Sequence, residues 1–286
     1  MQIWENQVTI FSAVDKSFTT ELPASCHEQN CPALARWADL EYEDHLCKDV
    51  YSLPCTDDRE GYYGSDHFSY WASGFRDSKL LLKEARSCGI KNPLTILDIG
   101  CASGRLIRHL PLLLPDARIL GCDINRLHVE FCNKYLHPSI SAFHNCSVPH
   151  LQIEDSSVDV VTAYSVFTHI EAMETAWLME IRRILRPGGL AWITIHTENT
   201  LKDLDEGWPL WNAVMNHPNA ESLIDKNTRL FENDRLVLRW NADKSYSSNV
   251  FYKKDYVLSH WSRIMKILDI KRKLPEYQDV VLLIKN

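Results

Sequence analysis

The sequence predicts an α/β protein built on a doubly wound, mostly parallel sheet. Two observations predict it. Between residues 92 and 197, short apolar runs alternate with amphipathic segments of helical period. Strands joined through helices need crossover connections, and crossovers give parallel strands with helices on both faces. The second observation is local. The apolar run Leu94 to Ile99 ends in two close glycines, Gly100 and Gly104, and the amphipathic segment Arg105 to Leu114 follows directly. That is strand, tight turn, helix start, and a backbone that lies against a ligand needs residues without bulk there.

The remaining elements follow in order. Residues 65 to 88 predict a helix, with Trp71, Phe75, Leu80, Leu82 and Ala85 at near-helical spacing and Gly89 as its stop. After the glycine turn, Ala117 to Ile124 predicts a second strand, Asn125 to Leu136 a helix and Ile140 to Asn145 a third strand. A fourth strand lies within 155 to 163. The helix Glu171 to Leu185 buries Ala176, Leu178, Ile181 and Ile184 and is expected to end at Pro187 and Gly188, before a fifth strand. Residues 198 to 250 interrupt the alternation. They are rich in Trp, Asn and Asp (Trp208, Trp211, Asn212, Asn216, Trp240, Asn241), with short strands expected at Arg235 to Trp240 and Asn249 to Tyr252. Ligands of open α/β sheets bind beyond the C-terminal strand ends, so this insertion is expected to be a substrate lid; the alternative is a structural extension. A helix, Lys254 to Ile264, and strands Ile267 to Lys273 and Asp279 to Ile284 close the chain. The organisation expected is a cap segment over 1–90 and a main domain over 91–286, with the lid at about 198–250.

The glycine turn discriminates between ligands. A dinucleotide fingerprint reads G-x-G-x-x-G; counted from Gly100, the third position is Ala102 and the sixth is Arg105. A phosphate-cradling loop reads G-x-x-x-x-G-K-S/T; here the second glycine comes one residue early and no lysine follows. Asp98-Ile99-Gly100-Cys101-Ala102-Ser103-Gly104 instead resembles the first motif, (D/E)-x-G-x-G-x-G, of the class I S-adenosylmethionine-dependent methyltransferases, with Ala102 for the middle glycine. Ala102 is expected to be a mild departure, since one methyl group takes little space. Asp123 at the end of the second apolar run, Asp155-Ser156-Ser157-Val158-Asp159-Val160-Val161-Thr162-Ala163, and Leu185-Arg186-Pro187-Gly188-Gly189 resemble the family's later motifs in the correct order. Tyr277 to Leu282 looks like its last strand. The resemblance implies a Rossmann-like, seven-stranded, mostly parallel sheet with an antiparallel last strand, an N-terminal helical flap over the cofactor, and S-adenosyl-L-methionine as cofactor.

Residue by residue, the resemblance sets Gly100, Cys101, Ala102 and Gly104 against the methionine and ribose portions. Asp123, with its neighbour Ile124, is expected on the ribose hydroxyls, where an acid about 20 residues after the turn can accept hydrogen bonds. Asp98 orients the turn or meets the amino group. Asn145 and Cys146 end the third strand, where the family contacts adenine, although a carboxylate is more usual there. Tyr164 and Ser165 end the fourth strand and are expected to touch the cofactor. Arg105 is a cation in a first helical turn, where it opposes the macrodipole. It therefore calls for an anionic partner, either the cofactor carboxylate or an acid in the flap; the alternative is that Arg105 and Arg108 are solvated.

Methyl transfer from a sulfonium needs alignment of nucleophile, methyl and sulfur, and exclusion of water. A base is needed only when the acceptor holds its proton tightly, and His169 and His196, after the fourth and fifth strands, are the candidate catalytic bases. The expected activity is methylation of a small-molecule acceptor, at oxygen. The alternatives are methylation of a protein or other macromolecule, and a non-catalytic homologue that binds cofactor. A net charge of −7 disfavours nucleic acid as a partner, and the cluster Lys271-Arg272-Lys273 reads as a solvated edge. No run of about 18 apolar residues occurs, so no membrane partner is expected. The first residues, Met1 to Asn6, lack the pattern of a signal peptide. Nine scattered cysteines suit a reducing cytoplasm. Cys26, Cys31, Cys47 and Cys55 lack paired zinc spacing, so no metal is expected. A homodimer is left open.

Overall fold

The apolar run before the glycine turn forms strand β3 in a computed structural model that describes residues 19–208, 210–225, 227–239, 248–274 and 276–286. The signal-peptide reading of Met1 to Asn6 and the strand end at Trp240, with Asn241, lie outside the described residues.

The strands are β1 (Thr20–Pro23), β2 (Ser52–Pro54), β3 (Thr95–Ile99), β4 (Arg118–Asp123), β5 (Ile140–His144), β6 (Val158–Ala163), β7 (Leu185–Thr197), β8 (Arg235–Arg239), β9 (Ser248–Tyr252), β10 (Lys266–Lys271) and β11 (Asp279–Ile284). The helices are α1 (Glu43–Lys48), α2 (His67–Ser87), α3 (Leu110–Leu113), α4 (Arg126–Tyr135), α5 (Glu174–Ile184), α6 (Glu198–Asp203), α7 (Leu210–Met215), α8 (Ala220–Leu223) and α9 (Lys254–Trp261). Strands β1 and β2 pair apart; the main sheet runs β10-β11-β7-β6-β3-β4-β5, and β8 and β9 join it through β7. Strands β3, β4 and β5 are parallel and β11 is antiparallel to β7, consistent with a Rossmann-like arrangement that has an antiparallel last strand.

The chain forms two compact units, and β6 gives residues to both. Of the described residues, one holds 19–146 together with Val158–Val160. Within it, β3 is buried along its whole length, as a strand covered on both faces must be. Helix α2 and the segment before it share the glycine turn's unit and form a core of Trp37, Tyr42, Leu46, Leu53, Phe68 and Trp71. The expected helix after the turn is much shorter than Arg105 to Leu114. A 3₁₀ turn, Ile107–His109, leads into α3, because Pro111 has no N–H to bond back to the preceding turn.

The other unit holds residues 147–157 and those from Val161 on. Helix α5 begins at Glu174, after Met173 at φ 61°, rather than at Glu171. It ends at Ile184, three residues before Pro187: the residue before a proline is pushed toward extended backbone, and β7 starts at once. Pro187 and Gly188 belong to that strand, where the Gly188 amide donates to the Lys285 carbonyl (2.7 Å). The insertion has its own core, with Leu201, Leu204, Val214, Leu236, Leu238 and Phe251 buried together. Strand β9 lies parallel to the end of β7, pairing His196 with Phe251. Arg272 and Lys273 are not simply solvated: both pair with Asp203, and Lys273 stands over Trp208. Among the described residues no helix is long and apolar enough to cross a membrane, and no His/Cys/Asp/Glu group could hold a metal ion.

Candidate cofactor and acceptor sites

Parallel register brings the ends of three strands level. Asp98 pairs with Gly121, Asp123 pairs with His144, and the Asn145 amide donates to the Asp123 carbonyl (3.1 Å). The expected cofactor residues Asp98, Gly100, Cys101, Ala102, Gly104, Asp123, Ile124, Asn145 and Cys146 therefore gather on one unit at one edge. The turn is fastened to β4: the amides of Gly100 and Cys101 both donate to the Cys122 carbonyl (2.7 and 3.0 Å).

Ala102 is a larger departure than one methyl group suggests. Its φ is 46°, beside 71° at Gly100 and 81° at Gly104, and an L-residue in that region costs about 1–2 kcal/mol. Asp123 compensates by accepting the Ala102 amide at Oδ2 (2.8 Å) and the Asn125 amide at Oδ1 (2.7 Å). Gly104 answers to packing as well as to conformation, since a Cβ there would lie 2.3 Å from Leu136 Cδ1.

Three acceptors face this edge. Asp98 is buried and its Oδ1 has no hydrogen-bond partner. Burial pushes its carboxyl up to about 8; Arg105 pulls the other way and Asp123 adds to the rise. Asn145 Oδ1 is likewise buried without a partner, while its Nδ2 donates to the Cys146 carbonyl (3.0 Å). Each Asp123 oxygen accepts one amide and keeps a second lone pair. His128 stands 3.7 Å from Asp123 Oδ1; burial works against its charged form, yet the carboxylate holds its pKa above the usual value.

The anionic partner of Arg105 is an acid on α2. Its Nη1 donates to Asp77 Oδ2 (2.6 Å) and to Ser73 Oγ (3.3 Å). Arg108 makes a two-pronged pair with Asp49 (2.9 and 3.0 Å), which also accepts the Trp71 indole N–H (2.7 Å). Neither arginine is solvated in the sense first considered. Gly74 lets α2 press on this turn, because a Cβ there would lie 2.0 Å from the Arg105 carbonyl oxygen. Ser73, Gly74 and Asp77 were not anticipated; the one signal for them was the unexplained cation at a helix start.

The other unit holds Tyr164, Ser165, His169 and His196. Tyr164 stacks on Trp192, and Ser165, at φ 56°, donates its amide to Thr194 Oγ1 (2.7 Å) and accepts from Gln278 Nε2 at Oγ. His169 Nδ1 lies 2.6 Å from the Ser248 carbonyl oxygen, so that nitrogen carries the proton and Nε2 is the basic one. Burial pushes His169 down to about 4, with the Ser248 carbonyl opposing. His196 lies between the rings of Phe251 and Tyr277 (5.1 and 6.0 Å between centroids), and its Nδ1 is buried without a partner. Burial pushes it down to about 3, and His169 adds to the fall. Asn249 and Gln278 are buried too, each with an unpartnered side-chain oxygen. These two were missed: an amide at a strand end carries no spacing signature.

Residues 97–191 match the family model of a methyltransferase domain. This stretch, from β3 into β7, is similar to the methyltransferases. Among curated methyltransferases, a malonyl-acyl-carrier-protein O-methyltransferase from Hahella chejuensis is 26% identical over 116 residues, 41% of each chain. A sterol 24-C-methyltransferase from Aspergillus fumigatus is 27% identical over 154 residues, 51% of this chain and 40% of that protein. The chain thus spans about two fifths of the length of these curated relatives. An S-adenosylmethionine-dependent methyltransferase structure from Mesorhizobium loti superposes with a TM-score of 0.53, at 14% identity, over 74% of this chain and 98% of that one. At that identity the likeness shows the fold alone.

Proposed function

We propose that this chain binds S-adenosyl-L-methionine and transfers its methyl group to a small-molecule acceptor, at oxygen, by in-line displacement. The observation that carries the cofactor half is the row of acceptors at adjacent strand ends: Asp98 and Asn145 each keep a buried oxygen without a partner, and Asp123 stands at the strand end between them. The cofactor presents the matching donors, namely ribose hydroxyls, an ammonium and an adenine amine. Asp123 and Ile124 would hold the ribose, Asn145 and Cys146 the adenine, Asp98 the ammonium, and the turn Gly100 to Gly104 the backbone edge. Tyr164 and Ser165 are assigned to the cofactor on the same reading. Arg105, tied to Asp77, would set the turn rather than touch the cofactor.

When bound, S-adenosylmethionine supplies a methyl whose C–S bond breaks as the bond to the acceptor oxygen forms, leaving the electron pair on sulfur. His169 would take the hydroxyl proton at Nε2, because its Nδ1 proton is committed to Ser248. His196, Asn249 and Gln278 would bind an uncharged polar acceptor, since none of these buried groups offers a fixed charge. A net charge of −7 argues against nucleic acid, and free cysteines throughout the described residues fit a cytoplasmic protein. One observation favours a second acceptor class: the Hahella chejuensis relative is named for an acyl-carrier-protein substrate.

Methyl-labelled S-adenosylmethionine and a cell extract split into small-molecule, protein and nucleic-acid fractions test this. Label in the small-molecule fraction supports the proposal. Label confined to protein supports the second class, and cofactor binding without transfer to any fraction identifies a non-catalytic homologue.

A further inference from the structure

Arg59 is a buried guanidinium that the protein itself does not satisfy. The residue is 2% exposed. Its Nη2 donates to the Gly64 carbonyl (2.5 Å), while Nε and Nη1 are buried without a hydrogen-bond partner. Arg105 and Arg108 each hold a buried acid, but among the described residues no carboxylate pairs with Arg59. Removing one partner of a buried ion pair is costly because it strands a charge, and Arg59 has that stranded arrangement in the protein alone.

The surroundings give it a direction. The loop after Arg59 is wound through four residues of positive φ: Glu60 (56°), Gly61 (80°), Tyr63 (63°) and Gly64 (49°). Thr56 Oγ1 donates to the same Gly64 carbonyl (2.8 Å), which fixes the loop around one face of the guanidinium. Backbone strain of this kind concentrates at ligand clamps. The guanidinium carbon lies 4.8 Å from the centre of the Tyr70 ring, and the Tyr70 hydroxyl lies 3.4 Å from Ser103 Oγ, inside the glycine turn. Tyr70 stands on α2 one turn before Ser73 and Gly74 and two turns before Asp77, the residues that meet Arg105.

We propose that Arg59 receives the carboxylate of the cofactor's amino-acid tail, with Tyr70 holding the guanidinium against the turn. This rests on the cofactor reading above and names a contact that the glycine motif does not supply. One unmet guanidinium matches one monoanion with two acceptor oxygens. A phosphate is the weaker match, because it carries a second charge to neutralise and the turn has no lysine to do so.

Calorimetric titration with S-adenosylhomocysteine, its decarboxylated analogue and 5′-methylthioadenosine tests the contact without reference to turnover. The wild-type protein is expected to prefer S-adenosylhomocysteine over both carboxylate-free nucleosides by about tenfold or more. Arg59→Met is expected to bring that ratio to near unity, and Arg59→Lys to restore part of it. A ratio unchanged by Arg59→Met, with S-adenosylhomocysteine still bound, overturns this proposal alone. Failure of the wild type to bind any of the three refutes the cofactor reading and this proposal with it. If Arg59→Met does not fold, the wild-type ratio between S-adenosylhomocysteine and its decarboxylated analogue decides, and equal affinities overturn the proposal.

Discussion

Asp123 accepts the amide of Ala102 at 2.8 Å, and that single contact joins the acid at the end of β4 to the weakest point of the glycine turn. The same carboxylate accepts the Asn125 amide at the head of α4. Asp123 is therefore a keystone of the turn in addition to its proposed role on the ribose. Asp123→Ala leaves two amides without their acceptor and should lower the unfolding free energy by about 1–3 kcal/mol. Urea melts check this, and an unchanged midpoint would show that the turn does not depend on the contact.

Ala102 carries the strain that Asp123 offsets. Ala102→Gly should raise stability by about 1 kcal/mol, because glycine occupies φ 46° without the penalty of a Cβ. A lower melting temperature for this variant would mean that the alanine methyl makes packing contacts worth more than the strain.

Arg108 and Asp49 form a fully buried ion pair, with the acid shared by Trp71. Burial works against the Asp49 charge, but Arg108 outweighs it and holds the carboxyl down at about 2. Arg108→Met should cost about 3–5 kcal/mol by stranding the carboxylate. Arg108→Met with Asp49→Asn should recover part of that loss in a double-mutant cycle.

Stability should respond to pH from both sides. His169 and His196 titrate near 4 and 3 when folded, against an ordinary 6.5, so the unfolded chain binds more protons below pH 6.5. Their contribution is fully present above pH 6.5 and is lost as pH falls toward 3. Asp98 has the opposite sign. Its carboxyl titrates near 8 when folded against 3.8 ordinarily, so its contribution is present below pH 3.8 and is lost as pH rises through 8. Asp98→Asn should flatten the alkaline side of a melting-temperature profile and leave the acid side in place; a profile unchanged above pH 6 would contradict the assignment.

Much of this was legible in the sequence because strand ends are marked by residues with narrow physical roles. Gly100, Gly104 and Asp123 announce a turn and an acid at fixed spacing, and alternating runs announce the sheet. Arg105 announced a missing anion, and Asp77 is that anion. What remained hidden is non-local. Nothing near Arg59 in sequence shows that Tyr70 will stand against it, and nothing near His196 shows that Phe251 and Tyr277 will flank it, since these pairs depend on tertiary packing. The short helix at Leu110 was also misjudged, although Pro111 was in plain view.

The row Asp98, Asp123 and Asn145 is proposed to bind an adenosyl cofactor. Isothermal titration of the protein with S-adenosylhomocysteine tests it most directly. One site per chain is expected, and for Asp123→Ala an affinity lower by about 10- to 100-fold. No heat of binding at millimolar ligand, or wild-type affinity in Asp123→Ala, would contradict it.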